Sequence, residues 1–181
     1  FHVKQIKQFD AVVCGAGHAG VEAALILNRF KISTALITID PLAIGRMSCN
    51  PAIGGLAKGQ IVKEIDVLGG IMGKATDYSA LQYKILNKSK GKSVWSPRAQ
   101  VDKREYENYI NKAIENAKHI TTIQGEVVNI EIERGVVSSA IMRDGQTIRC
   151  STLILTCGTF LNGLVHVGQK KIRAGRMGEN P

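Results

Sequence analysis

A glycine-rich hexapeptide near the start of the chain limits its fold more than any other feature. The apolar run before it, at 9–14 (FDAVVC), predicts a short buried strand, and the apolar stretch after it, at 21–30 (VEAALILNRF), predicts a helix. In a GxGxxG turn placed in this way, the first glycine permits the tight turn, the second lets phosphates approach the backbone, and the third lets helix and strand pack closely. The free N–H groups at the helix N-terminus then favour an anion. We therefore predict a phosphate-binding turn formed by Gly15, Ala16, Gly17, His18, Ala19 and Gly20.

A second apolar run, at 32–39 (ISTALITI), is rich in β-branched residues and predicts the next strand of a parallel α/β sheet. The end of this strand is where dinucleotide-binding sheets carry an acidic residue for the ribose hydroxyls. Thr38 occupies the place that alignment on the glycines gives, and Asp40 follows two residues later. Either residue is a candidate for the ribose contact. For His18, at the helix start, a phosphate contact and a solvent-facing turn residue are equally good interpretations.

The second half of the chain discriminates between dinucleotides. Residues 121–149 predict a strand hairpin or meander with a turn at Asp144-Gly145, followed by an apolar strand at 152–156 that leads into Cys157-Gly158. A nicotinamide-binding domain continues instead with alternating strands and helices. The observed order resembles the two-dinucleotide-binding flavoproteins of the glutathione-reductase type, so FAD is favoured over NAD. The same resemblance places the backbone of Val127 beside the adenine.

Between the second strand and an amphipathic helix at 102–118, the chain carries an insertion at about 41–104 that is rich in glycine and basic residues. The formal net charge of +9 suits a polyanionic partner. One cluster without acids comprises Lys84, Lys88, Lys90, Lys92 and Arg98, and a second comprises Lys170, Lys171, Arg173 and Arg176. Trp95 lies in the first cluster, where an indole can stack on a nucleic-acid base. Each cluster is either a nucleic-acid contact or a solvated basic face.

Composition excludes other classes of protein. Apolar residues make up 44% and charged residues 22%, which is typical of a folded globular domain. No apolar run approaches the roughly 20 residues of a membrane helix. The N-terminal residues lack the apolar core of a secretory signal, so we expect a cytoplasmic location and no membrane association.

The four cysteines show neither a CxxC pair nor a metal-ligand spacing, so we predict no metal site and no disulfide framework. Cys14 and Cys157 lie in apolar runs and are expected to be small buried residues. Cys49 instead lies in a polar loop, just before Asn50-Pro51. Since proline suits the first turn of a helix, Cys49 is placed before a helix N-terminus, which favours a nucleophilic thiolate. The alternative is an unreactive loop thiol.

Several blocks of sequence together resemble the MnmG (GidA) family of FAD-dependent tRNA uridine 5-carboxymethylaminomethyl modification enzymes. They are GAGHAGVEAA, RMSCNPAIGGLAKGQIVKEIDVLGG, KILNKSKG and LTCGTFLNG. The resemblance covers about residues 9–181 and only the N-terminal part of that family's longer polypeptide. It implies that residues 1–181 form an incomplete, Rossmann-like FAD-binding domain of the glutathione-reductase type, with a β-meander and a basic insertion. Such a fragment is expected to be inactive alone.

The resemblance also implies site residues and partners. Residues 15–20 match the FAD-phosphate loop, Val127 the adenine-side contact, and Cys49 the first of two cysteines that the modification requires. Thr38 agrees with the family in lacking the usual acidic residue. The implied substrate is the wobble uridine of tRNA, with NADH and methylenetetrahydrofolate as co-substrates. The implied partners are the MnmE GTPase, in a heterotetramer, and a second copy in a homodimer.

The reaction explains why a cysteine is needed. C5 of uracil is a poor nucleophile until a group adds at C6, and a thiolate can add there and later leave. Cys49 is a candidate for that addition or for proton transfer. Two other interpretations stay open: a folate-dependent tRNA uridine-5-methyltransferase flavoprotein, which shares the FAD lobe, and a non-catalytic module that binds FAD and RNA.

Overall fold

The computed structural model describes residues 7–47 and 50–175. The helices are α1 (His18–Arg29), α2 (Lys58–Val67), α3 (Met72–Ser79) and α4 (Lys103–Glu115). The strands are β1 (Lys7–Gln8), β2 (Ala11–Cys14), β3 (Thr34–Thr38), β4 (Ala52–Gly54), β5 (Ala80–Leu86), β6 (Ser96–Val101), β7 (Ile120–Gln124), β8 (Val127–Glu133), β9 (Val136–Met142), β10 (Thr147–Arg149), β11 (Thr152–Leu155), β12 (Leu164–Val167) and β13 (Lys170–Arg173). Short 3-10 turns cover Pro41–Ala43, Lys88–Lys90 and Lys92–Val94.

A parallel sheet with the strand order β11-β2-β3-β7 forms the centre of the molecule. Every residue of β2 and β3 is buried, as expected for a parallel sheet that is covered on both faces. Val13 and Leu36 pack on one face with residues of α1 and α4. Val12 and Ile37 point to the opposite face. This arrangement brings the carboxyl ends of β2 and β3 side by side, where the predicted site lies.

The meander forms a second sheet with the order β1-β10-β9-β8 that covers the other face of the parallel sheet. The predicted meander over 121–149 is wrong at its start, because β7 pairs in parallel with β3 and belongs to the central sheet. Gly125, with φ of +154°, separates β7 from β8, so that the meander begins at Val127. The turn at Asp144-Gly145 is confirmed, since the Gly145 amide donates to the Met142 carbonyl at 2.9 Å.

Residues 52–101 contain a third sheet, in the order β4-β6-β5, together with α2 and α3. The basic part of the insertion forms a hairpin of β5 and β6, for which the sequence predicted no secondary structure. Two 3-10 turns connect the two strands. Most of β5 is exposed. The predicted amphipathic helix at 102–118 is confirmed as α4, which buries Tyr106 and Ile110 and is capped by the Asp102 carboxylate. Over the ranges described, the helices are too short or too polar to span a bilayer.

Candidate functional site

The glycine turn between β2 and α1 is shaped by two steric requirements. Gly15 has φ of +97°, and a Cβ there would lie 2.6 Å from the Thr156 carbonyl oxygen. A Cβ on Gly20 would lie 1.8 Å from the carbonyl oxygen of Gly15. Both positions therefore need glycine for the fold itself.

Gly17 differs from the other two glycines of the turn. A Cβ built on it would meet none of the described atoms within 4 Å, so packing within the chain does not demand glycine there. Gly17 is also the N-cap of α1, whose first turn carries no acidic residue. A glycine that the fold does not require, at a helix N-terminus, fits the close approach of a phosphate to the backbone.

Thr156 fixes the conformation of this turn, a role that the sequence analysis did not find. Its hydroxyl lies 2.8 Å from the carbonyl oxygen of Cys14 and 2.9 Å from that of Gly15. Its amide also donates to the Cys14 carbonyl. Only the position of Thr156 at the end of a predicted strand indicated this contact.

His18, the first residue of α1, is half-buried with its Nε2 inside the molecule, which contradicts the interpretation of a solvent-facing turn residue. Its ring centroid lies 5.7 Å from that of Tyr106. Burial, and secondarily the charge of Lys58, lower the pKa of His18 to about 4, so its imidazole is neutral at pH 7. Burial raises the pKa of the Tyr106 hydroxyl. Within the described ranges, the Nε2 of His18 and the hydroxyl of Tyr106 are buried without hydrogen-bond partners.

At the end of β3, the two ribose candidates have different surroundings. Thr38 is buried, and its hydroxyl donates to the Asp40 carbonyl oxygen at 3.2 Å. The Asp40 carboxylate accepts from the Leu42 amide at 3.0 Å, and so caps the 3-10 turn. Its second oxygen lies 3.2 Å from Nη2 of Arg46. The structure thus brings both candidates to the edge beside the glycine turn.

Val127 begins β8, is half-buried and directly follows Glu126, which lines an open cleft of about 350 Å³. The cleft is lined by Ile39, Gln124, Gly125, Glu126, Met142, Arg143 and Asp144. It therefore lies where the ends of β3 and β7 meet the meander. Arg143 donates to both oxygens of Glu126 at 2.6 Å, and this hydrogen bonding lowers the pKa of the Glu126 carboxyl.

Cys49 lies outside the described residues. The expected helix N-terminus directly after it is wrong, because Pro51 leads into β4 and α2 begins only at Lys58. Residues close to Cys49 in sequence nevertheless contact the site. The Gly45 amide donates to the carbonyl of Ala16 in the glycine turn at 2.9 Å. The Met47 amide donates to the Glu107 carboxylate of α4 at 3.1 Å. Among the other cysteines, Cys14 is buried, and burial raises its pKa to about 12. Cys157 follows β11 as predicted but is only partly buried, so its expected burial is wrong.

Glu22 of α1 is a further contact that the sequence analysis missed. Its carboxylate accepts from the amides of Ile71 and Met72 and so caps α3 from a different helix, with 2.7 Å between Oε1 and the Met72 nitrogen. Its position two residues after Gly20 was the available signal. The contact ties the helix of the glycine turn to the insertion.

The basic clusters lie on two separate hairpins. Lys88, Lys90 and Lys92 are exposed on the 3-10 turns between β5 and β6. Trp95 is 38% exposed, and its indole N–H donates to the Lys88 carbonyl at 3.3 Å. Lys170, Lys171 and Arg173 are exposed on β13, and Arg176 lies outside the described residues.

Comparison with known proteins gives one consistent result. A family model described as glucose inhibited division protein A matches residues 10–181. The tRNA uridine 5-carboxymethylaminomethyl modification enzyme MnmG of Chlorobaculum tepidum is 49% identical over 173 residues, which are 96% of this chain and 28% of that protein. The MnmG of Aquifex aeolicus is 48% identical over 174 residues, again 96% of this chain and 28% of that protein.

Solved structures agree. Aquifex aeolicus GidA, in its form I crystal, superposes with a TM-score of 0.89 at 48% identity, covering 96% of this chain and 29% of that one. The GidA-related protein from Thermus thermophilus gives a TM-score of 0.64 at 16% identity, covering 95% of this chain and 63% of that one, a likeness of fold alone. The α/β fold class and the family predicted from the sequence motifs are confirmed. The chain spans about 28% of the length of these curated relatives.

Proposed function

Because the chain belongs to the glucose inhibited division protein A family, we propose that it contributes the FAD-binding lobe of an enzyme that modifies C5 of the wobble uridine in tRNA. The observation that carries this proposal is the Gly17 turn, where a glycine unneeded for packing exposes the N-terminus of α1 to a phosphate. The curated relatives bear the name of a tRNA uridine modification enzyme. Since the chain spans about 28% of their length, the activity is proposed for the whole protein.

The described residues fit FAD in three respects. The free N–H groups at residues 17–20 would hold the pyrophosphate, and Thr38 or Asp40 would take the ribose. Val127, beside the cleft, would present its backbone to the adenine. When bound, FAD would supply the redox chemistry of the one-carbon transfer, with NADH and methylenetetrahydrofolate as co-substrates.

We assign Cys49 to the chemistry on uracil. Its thiolate would add to C6, which makes C5 nucleophilic, and would leave once C5 has been substituted and has lost its proton. A proton-transfer role is the alternative assignment for the same side chain. The neighbouring contacts of Gly45 and Met47 support this assignment, because they tie the loop to the glycine turn and to α4.

The hairpin of β5 and β6 is the proposed tRNA contact. Its tip presents Lys88, Lys90 and Lys92 to solvent, with Trp95 beside them. Lysines attract the phosphate backbone without regard to sequence, and an aromatic ring offers a face for stacking. A MnmE GTPase partner in a heterotetramer, a homodimer and a cytoplasmic location complete the proposal.

The test combines a visible absorption spectrum with an assay of the modified nucleoside. The intact protein should show flavin absorption bands that shift on denaturation, and the same sample should modify the wobble uridine in a nucleoside assay. Flavin with a methylated uridine elsewhere in the tRNA would favour the methyltransferase. Absence of flavin after FAD is added would overturn the proposal.

Cys49→Ala tests the cysteine separately. We expect loss of wobble modification with flavin retained, because the substitution removes the nucleophile and leaves the glycine turn intact. The matched control is Cys150→Ala, which removes a buried thiol that packs against the meander sheet. This variant should keep activity. Unchanged modification by Cys49→Ala would remove Cys49 from the mechanism.

A further inference from the structure

Arg46 lies in a loop that contacts both the glycine turn and the residues just after β3. The residue before it, Gly45, donates its amide to Ala16 of the turn at 2.9 Å, which fixes the backbone there. Its side chain reaches back to Asp40, with 3.2 Å between Nη2 and Oδ2. Since β2 and β3 are adjacent parallel strands, their carboxyl ends lie about 5 Å apart. The guanidinium therefore stands at the edge where a dinucleotide crosses from one strand to the next.

The N-terminus of α1 alone does not balance the negative charge of a pyrophosphate at this edge. A helix N-terminus offers the equivalent of about half a positive charge, which is less than a pyrophosphate carries. Arg46 adds a guanidinium that neutralises the Asp40 carboxylate through one of its terminal nitrogens, which lies 3.2 Å from Oδ2. The guanidinium has five N–H donors in a rigid fork, so donors are left for phosphate oxygens. The side chains of Arg46 and Asp40 are 36% and 48% exposed, which leaves them open to a ligand.

We propose that Arg46 is an additional ligand of the FAD pyrophosphate and that Asp40 positions it. The inference rests on the proposed function. In this arrangement the Asp40 carboxylate has two tasks, capping the 3-10 turn through the Leu42 amide and orienting the guanidinium. Without Arg46, Asp40 leaves an unpaired negative charge beside the phosphates. We therefore expect a substitution of either residue alone to weaken FAD binding.

The experiment measures FAD affinity in the intact protein after its flavin has been removed. Flavin fluorescence is followed during titration with FAD at several sodium chloride concentrations. Arg46→Met keeps the length of the side chain and removes the charge, and it should weaken FAD binding by about 10- to 100-fold. It should also flatten the salt dependence. Arg149→Met, at an exposed arginine on β10, is the matched control and should bind FAD as the wild type does.

The double variant Asp40→Asn/Arg46→Met separates a ligand role from a structural one. Removal of the unpaired carboxylate should recover part of the lost affinity, by about 3- to 10-fold over Arg46→Met. A merely structural ion pair predicts that the FAD affinity of the double variant returns to the wild-type value together with the melting temperature. A ligand role predicts an affinity that stays below that of the wild type at an equal melting temperature, because the guanidinium is still missing. The melting temperature of each flavin-free variant shows whether it folds. If Arg46→Met does not fold, the FAD affinity of the double variant is compared with that of the wild type instead.

The outcomes are distinguishable. If Arg46→Met binds FAD with the affinity and salt dependence of the wild type, the role of Arg46 is overturned, while the proposed FAD site is unaffected. A double variant that binds FAD no better than Arg46→Met would show that the Asp40 carboxylate does not face the phosphates. Wild-type FAD affinity in Asp40→Asn alone would overturn the role of Asp40 in positioning Arg46. A wild-type protein that takes up no FAD would overturn the proposed function itself.

Discussion

At the scale of single residues, the three glycines of the turn have two different reasons to be glycine. Gly15 and Gly20 are required by the fold, since a Cβ would meet backbone atoms at 2.6 Å and 1.8 Å. Gly17 is not, because its Cβ position is open with respect to the described atoms. The sequence motif assigns these separate roles. The structure agrees with the steric roles of Gly15 and Gly20, and the phosphate contact at Gly17 stays a prediction.

This difference can be tested with one methyl group. Gly20→Ala should lower the free energy of unfolding by about 1–3 kcal/mol or more, because the backbone must shift. Gly17→Ala should lower the free energy of unfolding by less, about 1 kcal/mol at most for the poorer N-cap, and should weaken FAD binding. Thermal melts and FAD titrations on both variants measure the two effects. Undiminished FAD affinity in Gly17→Ala would contradict a phosphate at this position.

The buried imidazole of His18 predicts acid sensitivity. Its folded-state pKa of about 4 lies below the value of about 6.5 expected in the unfolded chain. The unfolded chain therefore binds more protons between these values, so stability is complete above pH 6.5 and falls as the pH drops towards 4. Between pH 7 and pH 5, His18 should account for a loss of about 2 kcal/mol.

Urea unfolding of the flavin-free protein at the two pH values measures this loss. His18→Gln should lose less stability than the wild type on acidification, because glutamine does not titrate. His119→Gln, at an exposed histidine, is the control and should behave as the wild type does. An equal loss in His18→Gln would place the acid-sensitive group elsewhere.

At the scale of elements, α1 holds the turn between α2 and α3 from two points. Arg29 donates to the Leu68 carbonyl at the end of α2 at 2.8 Å, and Glu22 accepts from the first amides of α3. Gly70 fits between them, since a Cβ there would lie 2.8 Å from Glu22 Oε2. The helix of the glycine turn thereby positions the insertion that leads to the basic hairpin.

Glu22→Ala should destabilise this junction. Loss of a charged acceptor leaves the Ile71 and Met72 amides without their partner, at a cost of about 1–3 kcal/mol. Urea unfolding curves measure the change against Glu64→Ala, which removes an exposed carboxylate from α2. Equal stability of the two variants would mean that the capping of α3 contributes nothing.

How much the sequence predicted differs between elements for physical reasons. The turn, α1, β3 and α4 carry strong local signals and were predicted correctly. β7 was assigned to the meander because residues 121–133 form one β-rich run, and only the pairing with β3 assigns its first part to the other sheet. In β5 the apolar residues Leu81, Tyr83 and Ile85 alternate with polar ones, which is a strand pattern, but their side chains are exposed. The basic residues of this stretch were the stronger signal, so no strand was predicted. Contacts such as Arg46 with Asp40 depend on loop geometry, which leaves no periodic signal.

At the scale of the whole molecule, the position of the charges matters more than their sum. The formal net charge of +9 attracts any polyanion, and two exposed hairpins carry comparable basic groups. The hairpin of β5 and β6 differs by having Trp95 beside its lysines, anchored through its indole N–H to the Lys88 carbonyl. An exposed aromatic ring next to lysines is typical of surfaces that bind single-stranded nucleic acids, so we expect tRNA to contact this hairpin.

Two triple variants with the same net charge separate these effects. One replaces Lys88, Lys90 and Lys92 with glutamine, and the other replaces Lys170, Lys171 and Arg173, so that each lowers the formal charge of +9 by three. Only the first should weaken tRNA binding strongly, and it should reduce the slope of log K against log salt by about 2–3, since each phosphate contact contributes roughly 0.7–0.9. Binding of unmodified tRNA to the intact protein across a salt series measures both quantities. Equal reductions in the two variants would assign the attraction to total charge, and a reduction confined to the second would move the RNA surface to the hairpin of β12 and β13.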